Sequence, residues 1–112
     1  MRIALALIVA LAACQSSDVS RAIGARCDRS VECDDHCLTD ADGFPGGFCT
    51  VVCDTSDDCP ASDSECVARE GGACLFTCTD DASCAFLGAG WHCADEDTRE
   101  QPARKVKVCR GG

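Results

Sequence analysis

The chain has no tyrosine, one tryptophan, four phenylalanines and three prolines in 112 residues. Little large apolar surface is therefore on hand from which to build a core. Across the 83 residues from Cys27 to Cys109, Leu, Ile, Val and Phe supply only 13 side chains, and Trp91 is the one further large apolar group. Composition this lean, with a formal net charge of -9, ordinarily predicts disorder, because burial cannot offset chain entropy. Basic residues are equally scarce in the body. Residues 27–98 hold 17 Asp and Glu against only Arg29 and Arg69, which excludes nucleic acid as a partner, since phosphate binding needs a basic surface to release counterions. No G-x-S-x-G element is present, and no two cysteines are spaced C-x-x-C. The longest apolar run, at the N-terminus, is too short to span a bilayer.

What the chain does have is cysteine. Twelve of its 13 cysteines lie between Cys27 and Cys109, a density characteristic of small exported domains that replace a core with disulfides. The spacing repeats. Cys27, Cys33, Cys37 and Cys49 read C-x5-C-x3-C-x11-C; Cys53, Cys59, Cys66 and Cys74 read C-x5-C-x6-C-x7-C; Cys78, Cys84, Cys93 and Cys109 read C-x5-C-x8-C-x15-C. The first cysteines are 26 and then 25 residues apart, a period in the range of internal arrays. The expected fold is a small disulfide-rich protein: three tandem four-cysteine modules of short β-hairpins and loops, at 27–52, 53–77 and 78–112, with little helix beyond the N-terminal segment. Within a module four cysteines allow three pairings, so three modules allow 27 combinations. First to third and second to fourth is the pairing adopted as the expectation.

The N-terminus carries a different signal. After Met1 and Arg2, Ile3 to Leu11 is an unbroken apolar run, and Leu11-Ala12-Ala13-Cys14 follows at once. This resembles a bacterial lipobox, in which an aliphatic residue and two small residues precede an obligatory cysteine. The resemblance implies a signal peptide over residues 1–13, cleavage before Cys14, and acylation of Cys14 on sulfur and on the new amino group. An ordinary secretory signal is the alternative. Parity favours the lipobox, because removing Cys14 from the disulfide count leaves an even twelve. Acyl chains on Cys14 are sufficient for stable membrane anchoring, and Gln15 rather than Asp after it is compatible with sorting to the outer membrane. Residues 14–26 then read as the lipidated cysteine and a flexible polar tether.

In module one, Leu38-Thr39 and Phe48 to Val52 are strand-like and flank the turn formers Asp42-Gly43 and Pro45-Gly46-Gly47. Asp40-Ala41-Asp42-Gly43 resembles a fragment of a calcium loop, but the later ligands and the closing Glu are missing, so turn chemistry is the better reading. Module two repeats the design, with Gly71-Gly72 before Cys74 and arms over Glu65 to Ala68 and Ala73 to Thr77. Its loop 54–58 and the corresponding loop 79–83 of module three read as acidic turns. Module three diverges. Trp91 is expected as its packing anchor, with a binding aromatic as the alternative. Asp95 to Ala103 reads as an exposed loop, and Lys105-Val106-Lys107-Val108-Cys109 alternates as a half-buried closing strand. Residues 99–112 are basic, with Arg99, Arg104, Lys105, Lys107 and Arg110 against Glu100. This tail is expected to fold back on the acidic body; reaching an anionic partner is the alternative.

His36 and His92 each directly precede the third cysteine of a module, which raises a zinc reading. Against it, the spacing offers no close cysteine pair of the zinc-finger kind, module two has Glu65 at the matching position, and an oxidising compartment favours disulfides. No catalytic residue, metal site or cofactor is assigned, and the chain reads as a non-enzyme.

Taken together, the lipobox at Cys14, the polar tether, the C-x5-C modules and the G-G-x-C-x3-C junctions resemble the cysteine-rich lipoproteins of myxobacteria and related bacteria. The residues that carry the likeness are Cys14, Cys27 to Cys37, Gly46-Gly47-Phe48-Cys49, Cys53, Cys59-Pro60, Gly71-Gly72, Cys74, Cys78 and Gly90-Trp91. The resemblance implies a lipid-anchored protein of the cell envelope, facing outward from the cytoplasm, and it implies no activity. The expected role is a binding or adhesion module for an extracellular protein or glycan. A protease-inhibitor-like scaffold presenting Asp40 to Gly46 or Asp95 to Arg104 is one alternative; a calcium-binding or structural envelope protein is another.

Overall fold

A computed structural model describes residues 19–111. The expected signal peptide (1–13), Cys14 and the first part of the tether lie outside the described residues. Among those described, three antiparallel hairpins follow one another, one for each cysteine quartet. Strand β1 (His36–Leu38) pairs with β2 (Phe48–Thr50), β3 (Ser64–Val67) with β4 (Ala73–Phe76), and β5 (Trp91–Asp97) with β6 (Lys105–Gly111). Helical structure among the described residues is confined to short 3-10 turns, the longest being Asp81–Leu87. This is a small disulfide-rich β-hairpin protein.

Register explains how so few apolar residues suffice. In every hairpin the third cysteine lies directly opposite the fourth: Cys37 faces Cys49, Cys66 faces Cys74, and Cys93 faces Cys109. Neither member bonds the other. The third instead reaches back to the first cysteine (Cys27–Cys37, Cys53–Cys66, Cys78–Cys93) and the fourth to the second (Cys33–Cys49, Cys59–Cys74, Cys84–Cys109). Both bridges of a module therefore run from the hairpin to the loop before it, pinning that loop across the strands. At about 2–4 kcal/mol per bridge, the set supplies what burial alone would not.

The loop so pinned has the same internal wiring in all three modules. The residue before the second cysteine turns back to the start of the loop: Glu32 accepts from the backbone N–H groups of Asp28 and Arg29, Asp58 from those of Asp54 and Thr55, and the hydroxyl of Ser83 from those of Thr79 and Asp80. A second side chain, three residues after the first cysteine, accepts from the N–H of the third cysteine. It is Ser30 to Cys37 at 3.0 Å, Ser56 to Cys66 at 3.0 Å, and Asp81 to Cys93 at 2.9 Å. The acidic and hydroxyl residues of these loops thus satisfy backbone donors that would otherwise be left without partners.

The modules share one core. Phe44 and Phe48 from the first, Val67, Leu75 and Phe76 from the second, and Leu87, Trp91 and Val108 from the third form a single buried cluster. Its centre is aromatic: Phe48 packs edge-on to Phe76 at 5.8 Å between centroids, and Trp91 lies 5.4 Å from Phe48 and 5.9 Å from Phe44. Trp91 is a packing residue, as expected, but it anchors module three onto module one rather than serving its own module. Isolated bridges Val52 to Ala73, Val67 to Thr98 and Thr77 to Val108 stitch neighbouring modules along the backbone. Thr50, fully buried, gives its hydroxyl to the carbonyl of Cys74 at 2.8 Å and accepts from the Cys74 N–H at 2.9 Å.

Two expectations need correction. The tether was drawn as far as residue 26, yet residues 20–26 fold onto module one: Ile23 is buried in the core, and Gly24 N–H and Ala25 carbonyl hydrogen-bond to the two sides of Cys49. Ile23 is the one large apolar side chain of that stretch, and burying it outweighs the entropy of a short polar linker. The second concerns the segment 95–103. Asp95 to Asp97 continue β5 to pair with Lys107, Val106 and Lys105, and Thr98 is buried. Ala68 and Arg99 then exchange backbone bonds with Asp97 and Cys66, so that the insertion lies along β3 of module two. Residues 99–103 remain a loop.

Candidate functional site

The twelve cysteines sit where the sequence placed them, all in disulfides. Three sulfur triads have their ligand atoms within 4.8 Å of one another: Cys27, Cys33 and Cys37; Cys53, Cys59 and Cys74; and Cys78, Cys84 and Cys109. These triads arise because the two bridges of each module stack side by side. An oxidised sulfur is not a thiolate, and the thiolate is the metal ligand, so in this state the triads are cross-links. His36 is exposed with Nδ1 3.2 Å from Ser30 Oγ, and His92 is half-buried on β5. The structure brings neither histidine into those triads.

The carboxylates singled out as a calcium-loop fragment are engaged with the backbone. Asp42 Oδ2 accepts from Thr39 N at 3.0 Å and from Thr39 Oγ1 at 3.1 Å, Asp40 Oδ1 accepts from Gly46 N at 3.0 Å, and Gly43 closes the 3-10 turn in the left-handed region at φ 95°. The loop is a capped turn. Backbone donors also set the acidity of two carboxylates in the pinned loops: the N–H groups of Asp28 and then Arg29 hold Glu32 below the usual carboxylate range, and those of Asp54 and then Thr55 do the same for Asp58.

The two loops considered for protease inhibition are likewise committed to the body. Phe44, inside Asp40 to Gly46, is fully buried. In the other loop, Arg99 pairs with Asp54 at 3.3 Å and donates to the carbonyls of Cys53 and Gly71, while Arg104 pairs with Glu65 at 3.0 Å and Glu100 at 3.3 Å. The rest of the basic tail pairs across the last hairpin. Lys105 meets Asp97 at 2.9 Å, which raises the lysine's pKa, and Lys107 meets Asp95 at 3.6 Å. Arg110 Nε lies 3.0 Å from Glu96 Oε2, and Arg69 Nη1 is 3.0 Å from the same oxygen. The Arg110 N–H does not point along that line, leaving a charge contact without a hydrogen bond. The tail folds back, as expected.

One surface feature escaped the sequence reading. A shallow cleft of about 200 Å³ is lined by Val19, Gly24, Arg26, Gly47, Ala85, Phe86, Leu87 and Gly88. Phe86 stands half-exposed from the 3-10 turn Asp81–Leu87, its ring held 5.5 Å from that of buried Phe76. The available signal was the apolar pair Phe86-Leu87 directly after an acidic turn. One of the two is buried, and a single exposed ring carries no pattern. Comparisons with known protein families, with curated proteins and with solved structures find no match for this chain.

Proposed function

We propose that this chain is a lipid-anchored bacterial envelope protein whose disulfide-rich body is a non-enzymatic binding or adhesion module for an extracellular protein or glycan. The observation that carries the reading is the division of the cysteines. Twelve of the thirteen pair with one another in six bridges, an even set that does not call on Cys14, the cysteine of the lipobox-like sequence, which on this reading carries a thioether-linked lipid. Disulfides at this density are characteristic of exported proteins, which supports the reading. The rigid array, with its turn carboxylates bound to backbone and its basic side chains drawn onto acidic ones, offers a shape to recognise rather than a reacting group.

The deciding experiment is the intact mass of the protein extracted from membranes with thiols blocked, before and after reduction. A chain beginning at an acylated Cys14, gaining twelve blocked thiols only after reduction, supports the reading. Thiols that are blocked before any reduction, or a chain still carrying Met1, overturn it and bring zinc binding by the sulfur triads to the front. Saturable hydrolysis by the disulfide-intact protein would remove the binding role while leaving the anchor in place.

A further inference from the structure

We infer that the face formed by Val19, Phe86 and Arg26 rests on the phospholipid bilayer, with the ring of Phe86 in the interfacial zone and the Arg26 guanidinium on lipid phosphate. The inference rests on the lipid-anchor reading. Three observations lead to it. First, the folding of residues 20–26 onto module one leaves at most the five residue-to-residue steps from Cys14 to Val19 to span the gap between anchor and body, a reach of about 17 Å even when fully extended. Val19 itself lines the cleft, so the chain enters the body at this face and the bilayer must lie close to it.

Second, the face has the composition of an interfacial contact. Val19 is 50% and Phe86 45% exposed, and no carboxylate lines the cleft although the chain has 19. Third, the cation there is unspent. Among the described residues Arg26 and Arg29 are the two basic side chains without an ion pair, and Arg26 places its guanidinium beside Gly46 and Gly88 on the rim of the cleft. An aromatic ring with a neighbouring free guanidinium matches the acyl and phosphate layers of a lipid surface. Such a contact would fix which loops of the array face outward, which a lipid on a freely swinging tether could not do.

The test places the reporter at the ring. Phe86→Trp is made in the full chain, and the mature acylated protein is isolated and reconstituted into phosphatidylethanolamine and phosphatidylglycerol vesicles with or without bromine on the acyl chains. Vesicle flotation and intact mass confirm the anchor, and the wild-type emission of Trp91 is subtracted. The expected result is loss of about half of the added indole emission to bromine, as for a ring seated about 5–10 Å into the headgroup and acyl boundary. Emission that stays water-exposed overturns the contact. So does blue-shifted emission that bromine leaves alone, since the ring is then covered by protein, a second copy included. An unacylated chain that does not float defeats the anchor reading instead, so the two failures are told apart. Should Phe86→Trp lose its six bridges by mass, Val19→Trp reports from the opposite lip of the cleft by the same measure.

Discussion

The indole Nε1 of Trp91 donates to the carbonyl of Pro45 at 2.9 Å, across 46 residues of sequence and from the third module to the first. Its ring packs against those of both Phe44 and Phe48, which also touch each other. One side chain thereby closes the array into a single body. Trp91→Ala should destabilise the protein by about 3–5 kcal/mol, the usual cost of deleting a buried ring. Trp91→Phe should cost about 1–3 kcal/mol, chiefly through the Pro45 carbonyl left without a donor. Urea midpoints of the disulfide-intact proteins check both. If Trp91→Ala lost less than about 1 kcal/mol, the contact of Trp91 with Phe44, Phe48 and Pro45 would not be what couples the third module to the first.

Glu96 is the electrostatic counterpart of that closure. It receives Arg69 from module two and Arg110 from its own hairpin on one oxygen, and Arg69 in turn lies over the ring of Phe44 at 5.8 Å. The Glu96 side chain is 15% exposed. Glu96→Gln leaves two guanidinium groups facing a neutral amide, and the expected cost is about 1–3 kcal/mol, below that of a fully buried pair because Arg69 and Arg110 keep some water. Arg69→Met in the same background should recover part of the loss. A double-mutant cycle measured in urea reads the coupling directly.

The doublets Gly46-Gly47 and Gly71-Gly72 mark the same point in two modules, and the structure gives the reason. A Cβ on Gly47 would collide with the carbonyl of Cys27, and one on Gly72 with the carbonyl of Cys53, the first cysteine of the module in each case. Gly72 also has φ +113°, whereas Gly71, at φ +78°, has open space around it. Gly72→Ala should therefore cost about 2–6 kcal/mol from strain and overpacking together, and Gly71→Ala about 1–3 kcal/mol from strain alone. Equal losses would contradict the close approach.

The bridges differ in the chain they enclose. Cys84–Cys109 spans 25 residues and Cys27–Cys37 spans 10. On chain entropy alone the first contributes about 0.8 kcal/mol more than the second, and Cys84 and Cys109 are also the more deeply buried pair. Replacing Cys84 and Cys109 together by Ala should lower the thermal midpoint further than replacing Cys27 and Cys37 together.

How much of this was legible follows from the kind of signal each feature leaves. Cysteine spacing and paired turn glycines are local and repeat, so the first two hairpins could be placed from Leu38, Phe48 and Ala73 within a residue or two, and the closing strand of the third from Val108, whereas its partner strand Trp91–Asp97 carries no alternation to read. The pinning loops were visible as acidic turns. What the sequence hides is contact between modules. Nothing near Trp91 indicates that its partners are Pro45 and Phe44, and nothing near Asp97 indicates that it will lie along Ala68. Ile23 looked like part of a linker because one apolar residue among polar ones has no period to read. The cleft at Phe86 was hidden for the same reason, since it is assembled from residues as far apart as Val19 and Gly88.

The shared wiring of the loops makes a pH prediction that separates the modules. Glu32 and Asp58 occupy the same position in modules one and two, and each is held below its ordinary pKa by two backbone N–H groups, while module three has Ser83 there. For a carboxylate with a lowered folded pKa, the stabilisation is fully present above the unfolded value and is lost as pH falls through the folded value. Stability should accordingly decline as the pH falls below the ordinary carboxylate range. Combining Glu32→Gln with Asp58→Asn should lower stability at neutral pH and flatten that acid decline. Ser83→Ala should lower stability without altering the slope, because a hydroxyl does not titrate in this range. Urea midpoints across the pH series decide it. A double variant whose acid slope matches wild type would show that other carboxylates govern acid unfolding.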